Sequence, residues 1–79
     1  MEFDRELDLR GFFCPIPIIK TKVAMDKMPP GQVLKVISTD AGSLMDMPAF
    51  SKETGHSLLH AETVGTDYIF FLRKAGPSN

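Results

Sequence analysis

Cys14 is the only cysteine in the 79-residue chain, and it is followed at once by Pro15, with a second proline at Pro17. The stretch Gly11-Phe12-Phe13-Cys14-Pro15-Ile16-Pro17 sets this thiol between a short alternating segment, Leu7-Asp8-Leu9-Arg10, and a run from Ile18 to Met28 with helical spacing. A residue directly ahead of a helix-opening proline sits at or near the helix N-cap. There the unpaired N–H groups of the first turn and the positive end of the macrodipole favour thiolate over thiol, and cysteines so placed have depressed pKa values and raised reactivity. Pro15 fits near the first helical position, and Pro17 falls within the first turn, before any intrahelical donor is required. The expected chemistry is that of an exposed nucleophilic thiolate. Against it stands a buried structural thiol, since free cysteine is among the most buried residue types.

Composition removes several other classes. A chain of this length makes one small domain with a limited core. The net charge of −1 supplies no global basic field for nucleic acid, and no aromatic stacking motif accompanies it. No apolar run approaches the roughly 18 residues of a membrane span. The lead-in Met1-Glu2-Phe3-Asp4-Arg5-Glu6 is charged in both signs with no apolar signal segment behind it, so a cytoplasmic protein is expected. One cysteine excludes an internal disulfide, a CxxC dithiol and a cysteine-rich zinc site within the chain. His56 and His60 read as partly exposed strand residues lying well apart on one face, and most of the five methionines fall at helical core spacing. No metal or cofactor is expected.

The elements that must position the thiol follow from periodicity. Glu6 to Arg10 alternates around Leu7 and Leu9, a half-buried strand broken by Gly11. A helix is expected over Pro15 to Met28, with Ile18, Thr21, Ala24, Met25 and Met28 on a core-facing arc. Ile16, Ile19 and Val23 lie on the opposite side beside the cysteine, a placement that suits a docking patch for a partner approaching the thiol. Pro29-Pro30-Gly31 stops the helix. Gln32 to Thr39, apolar but for Lys35, reads as a central strand buried on both faces and parallel to the first.

After the turn Asp40-Ala41-Gly42-Ser43, the pair Ser43 and Asp46 resembles a capping box for a second helix over Leu44 to Thr54. Its core face is expected to carry Leu44, Met47, Phe50 and Ala49. Pro48 is too deep for the free first turn, so either that turn is irregular or the regular helix begins near Met47. Gly55 suits the C-terminal cap. Strands over His56–Val64 and Asp67–Lys74 flank Gly65-Thr66, which suits a type II′ hairpin turn, and the tail Ala75-Gly76-Pro77-Ser78-Asn79 is expected to fray.

The segment Asp8-Leu9-Arg10-Gly11-Phe12-Phe13-Cys14-Pro15-Ile16-Pro17 resembles the D-x-R-G-x-x-C-P-x-P signature of the TusA/SirA-like sulfur-carrier family. The likeness continues through Met28-Pro29-Pro30-Gly31, Thr39 to Ser43, Asp46-Met47-Pro48-Ala49-Phe50 and Phe70 to Lys74, covering residues 6–74. The fold this resemblance implies is a two-layer α/β sandwich, βαβαββ, with two helices on one face of a four-stranded mixed sheet. It makes residues 1–79 a single sulfur-carrier domain with its core at 6–74.

The activity the resemblance implies is sulfur relay. Cys14 takes a sulfane sulfur as a persulfide from a donor sulfurtransferase, a cysteine desulfurase or rhodanese, and hands it to an acceptor relay protein, in pathways such as tRNA thiolation, molybdenum-cofactor maturation or sulfur oxidation. Pro15 and Pro17 shape the turn, and Arg10 and Asp46 match family positions expected near the site or its docking surface. The chain departs from the family at Met45, where a basic residue is often found, so partner choice is expected to differ.

A relay suits a lone thiol, because a second cysteine would attack the persulfide and discharge it as a disulfide. A monomer is expected, able to show its thiol to successive partners, without membrane or direct nucleic-acid contact. The alternative class is a redox-sensitive regulatory or interaction domain that transfers no sulfur.

Overall fold

In the computed structural model, which describes residues 1–76, the element order is β1 (Arg5–Leu9), α1 (Ile16–Asp26), β2 (Val33–Ser38), α2 (Ser43–Thr54), β3 (Ser57–Val64) and β4 (Asp67–Arg73). The strands form one mixed sheet in the order β1-β2-β4-β3, with β1 and β2 parallel and β4 antiparallel to both neighbours. The expected βαβαββ plan is the observed one. Both helices pack on one side, where Leu9, Leu34, Val36, Phe70 and Leu72 from the strands meet Met25, Met28, Met47 and Phe50, with Ile18 and Ala24 partly buried against them. Along β2 every second residue, Leu34, Val36 and Ser38, is buried beneath the helices. Val33, Lys35 and Ile37 on the other side are only half-buried, so β2 is central but covered fully on one face alone.

Several boundaries differ from expectation for local reasons. β1 begins and ends one residue early, because its register on β2 ends at Leu9↔Ser38 and the chain turns at Arg10. Helix α2 begins at Ser43 with Pro48 inside it. The irregular first turn is the resolution: the amides of Ser43, Leu44 and Met45 donate to carbonyls three residues back, a tight winding that brings the chain into the helix. The capping box does not form. Gly42 is the N-cap without a side-chain bond, the Ser43 hydroxyl is buried against that of Ser38 at 2.8 Å, and Asp46 turns elsewhere. The winding also rotates Leu44 and Ala49 out to solvent, leaving Met47 and Phe50 as the helix's buried apolar pair. Gly65 has φ +62° while Thr66 keeps negative φ, as a type II′ turn requires between Val64 and Asp67.

His56 is not a strand residue. It precedes β3, is buried, and stacks obliquely on Phe50 at 5.9 Å between ring centroids. Its Nδ1 accepts the Ala75 amide at 3.0 Å, which pins the start of a tail expected to fray; residues 77–79 lie outside the described residues. His60, by contrast, is an exposed strand residue after a bulge between Leu58 and His60.

Burial, then the nearby Lys74 charge, holds His56 below its ordinary value of 6.5. Protonation would also place a hydrogen on the nitrogen that accepts from Ala75. The folded state therefore binds this proton less readily than the unfolded state, and stability falls as pH drops through 6.5. Urea midpoints should decline between pH 7.5 and 5.5 in the wild type and decline less in His56→Gln; equal slopes would exclude His56 as the source.

Candidate functional site

The site lies where β1 and β2 end. Because these strands are parallel neighbours, the loops leaving them, residues 10–15 and 39–42, emerge side by side at one edge of the sheet. Two side chains of the second loop hold the first. Thr39 Oγ1 accepts the Gly11 amide at 2.9 Å, and Asp40 Oδ2 accepts the Cys14 amide at 2.7 Å. Asp40 Oδ1 also accepts the Gly42 amide at 3.2 Å, so a single carboxylate ties the cysteine loop to the start of α2. Gly11 turns the chain with φ +88°, a conformation that a β-carbon disfavours.

Cys14 is exposed. It sits one residue earlier than a capping position, because Pro15 is the N-cap of α1 and Pro17 the second helical residue; the Cys14–Pro15 peptide is cis. Asp46, projecting from the first turn of α2, receives the thiol hydrogen at 3.4 Å. Cys14, Pro15, Ile18, Asp46, Ala49, Phe50 and Glu53 line an open pocket of about 280 Å³ between the two helices.

The electrostatics reverse the expected depression of the thiol pKa. The hydrogen bond to Asp46 raises it above the ordinary value, with desolvation and the charges of Asp46 and Asp40 adding in the same sense. The opposing effect of the α1 terminus has few donors to act through. Pro15 and Pro17 have no N–H, the Ile16 amide donates to the Phe13 carbonyl at 3.0 Å, and the Cys14 amide is taken by Asp40. The resting side chain is a thiol held by a carboxylate.

Asp46→Asn removes the charge that holds the proton. Alkylation of Cys14 by iodoacetamide at pH 7.5 should rise several-fold, with the midpoint of the rate–pH curve moving to lower pH. A rate unchanged from wild type would mean that Asp46 does not control the thiol.

The remaining expected site residues divide. Pro17 is buried and Pro15 lies on the pocket wall. Ile16, Ile19 and Val23 are 37%, 52% and 49% exposed along the outer face of α1, as the spacing predicted. Arg10 is not joined to the thiol. Its guanidinium grips Asp8 through Nε at 2.9 Å and Nη2 at 2.8 Å, with Asp67 3.8 Å away. This bonding draws the Asp8 carboxyl down to about 2. The Asp and Arg of the motif thus brace one another where β1 ends.

Asp40 and Glu53 join the site only through the fold. The sequence marks Asp40 as a turn residue alone, although an aspartate two residues ahead of a glycine is a known side-chain-to-backbone turn signal. Among the described residues no three His, Cys, Asp or Glu side chains cluster as metal ligands would.

A small open-edged α/β sandwich showing one exposed, carboxylate-bonded cysteine at the joint of two strand ends is a single-thiol protein of the SirA-like fold. A crystal structure of a SirA-like protein from Desulfitobacterium hafniense superposes with a TM-score of 0.78, covering 91% of this chain and 99% of that one at 20% identity, which speaks for the fold. A family model described as "Sulfurtransferase TusA" matches residues 5–74, and the chain belongs to the TusA family.

The sulfur carrier protein TusA of Allochromatium vinosum is 43% identical over 74 residues, spanning 94% of this chain and 97% of that one. The putative sulfur carrier protein YrkF of Bacillus subtilis is 46% identical over 70 residues, covering 89% of this chain but 38% of its own length.

Proposed function

We propose that the protein is a sulfur carrier that holds a sulfane sulfur as a persulfide on Cys14. The observation that carries this reading is an exposed lone thiol at the mouth of a pocket, its hydrogen already directed at Asp46. In the loading step, Asp46 accepts the thiol proton as Cys14 Sγ attacks the terminal sulfur of a donor persulfide. The new Sγ–S bond forms as the donor's S–S bond breaks, and the donor leaves as a thiolate. The exchange is redox-neutral, and unloading runs by the same chemistry when an acceptor thiolate attacks the terminal sulfur of the Cys14 persulfide. A raised thiol pKa keeps the idle carrier protonated and less prone to oxidation, since the thiolate is the reactive form.

Donors of the cysteine desulfurase or rhodanese class and an acceptor relay protein fit this chemistry. The outer face of α1, from Ile16 near Cys14 to Ile19 and Val23 on the side turned from the thiol pocket, is the apolar surface over which such partners approach. Arg10 acts by bracing the end of β1 rather than on sulfur. The relatives' names, sulfur carrier protein TusA and putative sulfur carrier protein YrkF, support the reading.

The test is intact-protein mass spectrometry after incubation with a cysteine desulfurase and cysteine, or a rhodanese and thiosulfate. A gain of one or more sulfur masses, removed by a reductant, is expected. An unmodified mass with both donors, while Cys14 still alkylates, would sink the carrier reading in favour of a redox-sensitive thiol.

A further inference from the structure

On the far side of α1 from the thiol pocket, the helix overhangs the outer edge of the sheet. β1 is an edge strand, so its outward backbone N–H and C=O groups face no neighbouring strand. Leu7 from β1 and Ile19, Val23 and Ala24 from α1 floor a groove of about 480 Å³, rimmed by Arg5, Lys20 and Lys27.

The charges there are one-sided. Among the described residues no carboxylate lies within ion-pair distance of Arg5, Lys20 or Lys27; Lys20 rests on the Phe12 ring at 5.1 Å. The nearest acids in sequence are engaged elsewhere: Asp4 accepts the Val33 amide, Glu6 pairs with Lys35, Asp8 with Arg10 and Asp26 with Lys22. In a protein of net charge −1, this leaves a local cationic groove with an apolar floor and a free strand edge.

We infer that this groove receives an acidic extended segment of a partner protein, which adds to β1 as a fifth strand. Alternate side chains of an added strand, about 7 Å apart, would fall beneath α1 onto Ile19 and Val23, and acidic residues at the margins would meet Arg5, Lys20 and Lys27. Main-chain bonds would supply affinity and the cations selectivity. A second copy of this chain suits the groove poorly, because edge-to-edge pairing of two β1 strands would bring the two cationic rims together. The inference rests on the reading of α1 as a partner-facing helix but not on sulfur transfer.

The test is a ¹⁵N-HSQC titration of the full chain with a peptide alternating glutamate and valine. Amide shifts confined to residues 5–9 and 19–27 are expected, with affinity at least tenfold weaker for the Lys20→Glu/Lys27→Glu variant. The inference is overturned by no shifts in those segments, by equal shifts from a lysine–valine peptide, or by the same pattern from inorganic polyphosphate, which would mark a plain anion patch. Sedimentation showing a dimer whose β1 amides shift on dilution would also overturn it. Peptide binding without sulfur loading would leave the groove standing and remove the carrier reading, and loading without peptide binding would do the reverse.

Discussion

Cys14→Ser should abolish sulfur loading entirely, to below the detection limit of intact-mass analysis, with the fold unchanged. The chain has no other cysteine to take over, and a serine hydroxyl is not ionised near neutral pH, so the attacking atom is lost outright. The scaffold is indifferent to the change. Cys14 is exposed, so no core volume is altered, and its bond to Asp40 runs from the backbone amide, which serine retains. A surface replacement of this kind changes stability by no more than about 0.5 kcal/mol, so the urea midpoint should match the wild type. That control separates lost chemistry from lost structure. A persistent mass gain in the folded variant would place the sulfur somewhere other than Cys14.

The largest effect on stability is expected at Phe70. It lies on β4, between β2 and β3, with Val36 and Ala61 as its cross-strand partners, and is 1% exposed within the core cluster to which both helices contribute. Truncation to alanine removes a ring from the centre of the only core cluster that joins the two layers among the described residues. A buried Phe→Ala change costs about 3–5 kcal/mol, most where rigid neighbours cannot collapse into the cavity. Small domains have total stabilities toward the low end of about 5–15 kcal/mol. Phe70→Ala should therefore be partly unfolded at 37 °C, with a strongly reduced urea midpoint by circular dichroism.

Phe71, one residue on, faces the opposite side of the sheet. There its ring meets the side chains of Phe3 at 6.3 Å and His60 at 6.1 Å between centroids, both of which are themselves exposed, so among the described residues this side of the sheet has no helix packed over it. Phe71→Ala should cost less; a cost equal to or greater than that of Phe70→Ala would contradict this placement of the core.

Much of the architecture was legible because it rests on local rules. The left-handed Gly55 that ends α2 and the positive φ of Gly65 are each demanded by a residue's own backbone preferences, and each was found where expected, whereas α1 spans Ile16–Asp26 and ends two residues short of the Met28 expected ahead of the Pro-Pro-Gly stop. The core arc of α1 was legible for a similar reason: Thr21, Met25 and Met28 recur at helical period and all are buried. Local rules failed where a side chain had two competing partners. Ser43 and Asp46 have capping-box spacing, yet Ser38 and Cys14, five and thirty-two residues away, took their oxygens. His56 looked like a strand residue until the Ala75 amide and the Phe50 ring drew it inward.

The same division runs through the site. Sequence alone determined that one thiol serves the whole chain, that it stands at a strand-to-helix turn just ahead of two prolines, and that no second cysteine is present to react with it. Composition and spacing suffice for these, because they depend on which residues exist and in what order. Only the tertiary structure decided the state of that thiol. Two parallel strands bring residues 39–46 against residue 14, so the charges nearest the sulfur are carboxylates, while prolines and used amides silence the helix terminus that the sequence seemed to offer. Electrostatic effects depend on distance in space and on which groups are already bonded, and neither is written in a linear order of residues.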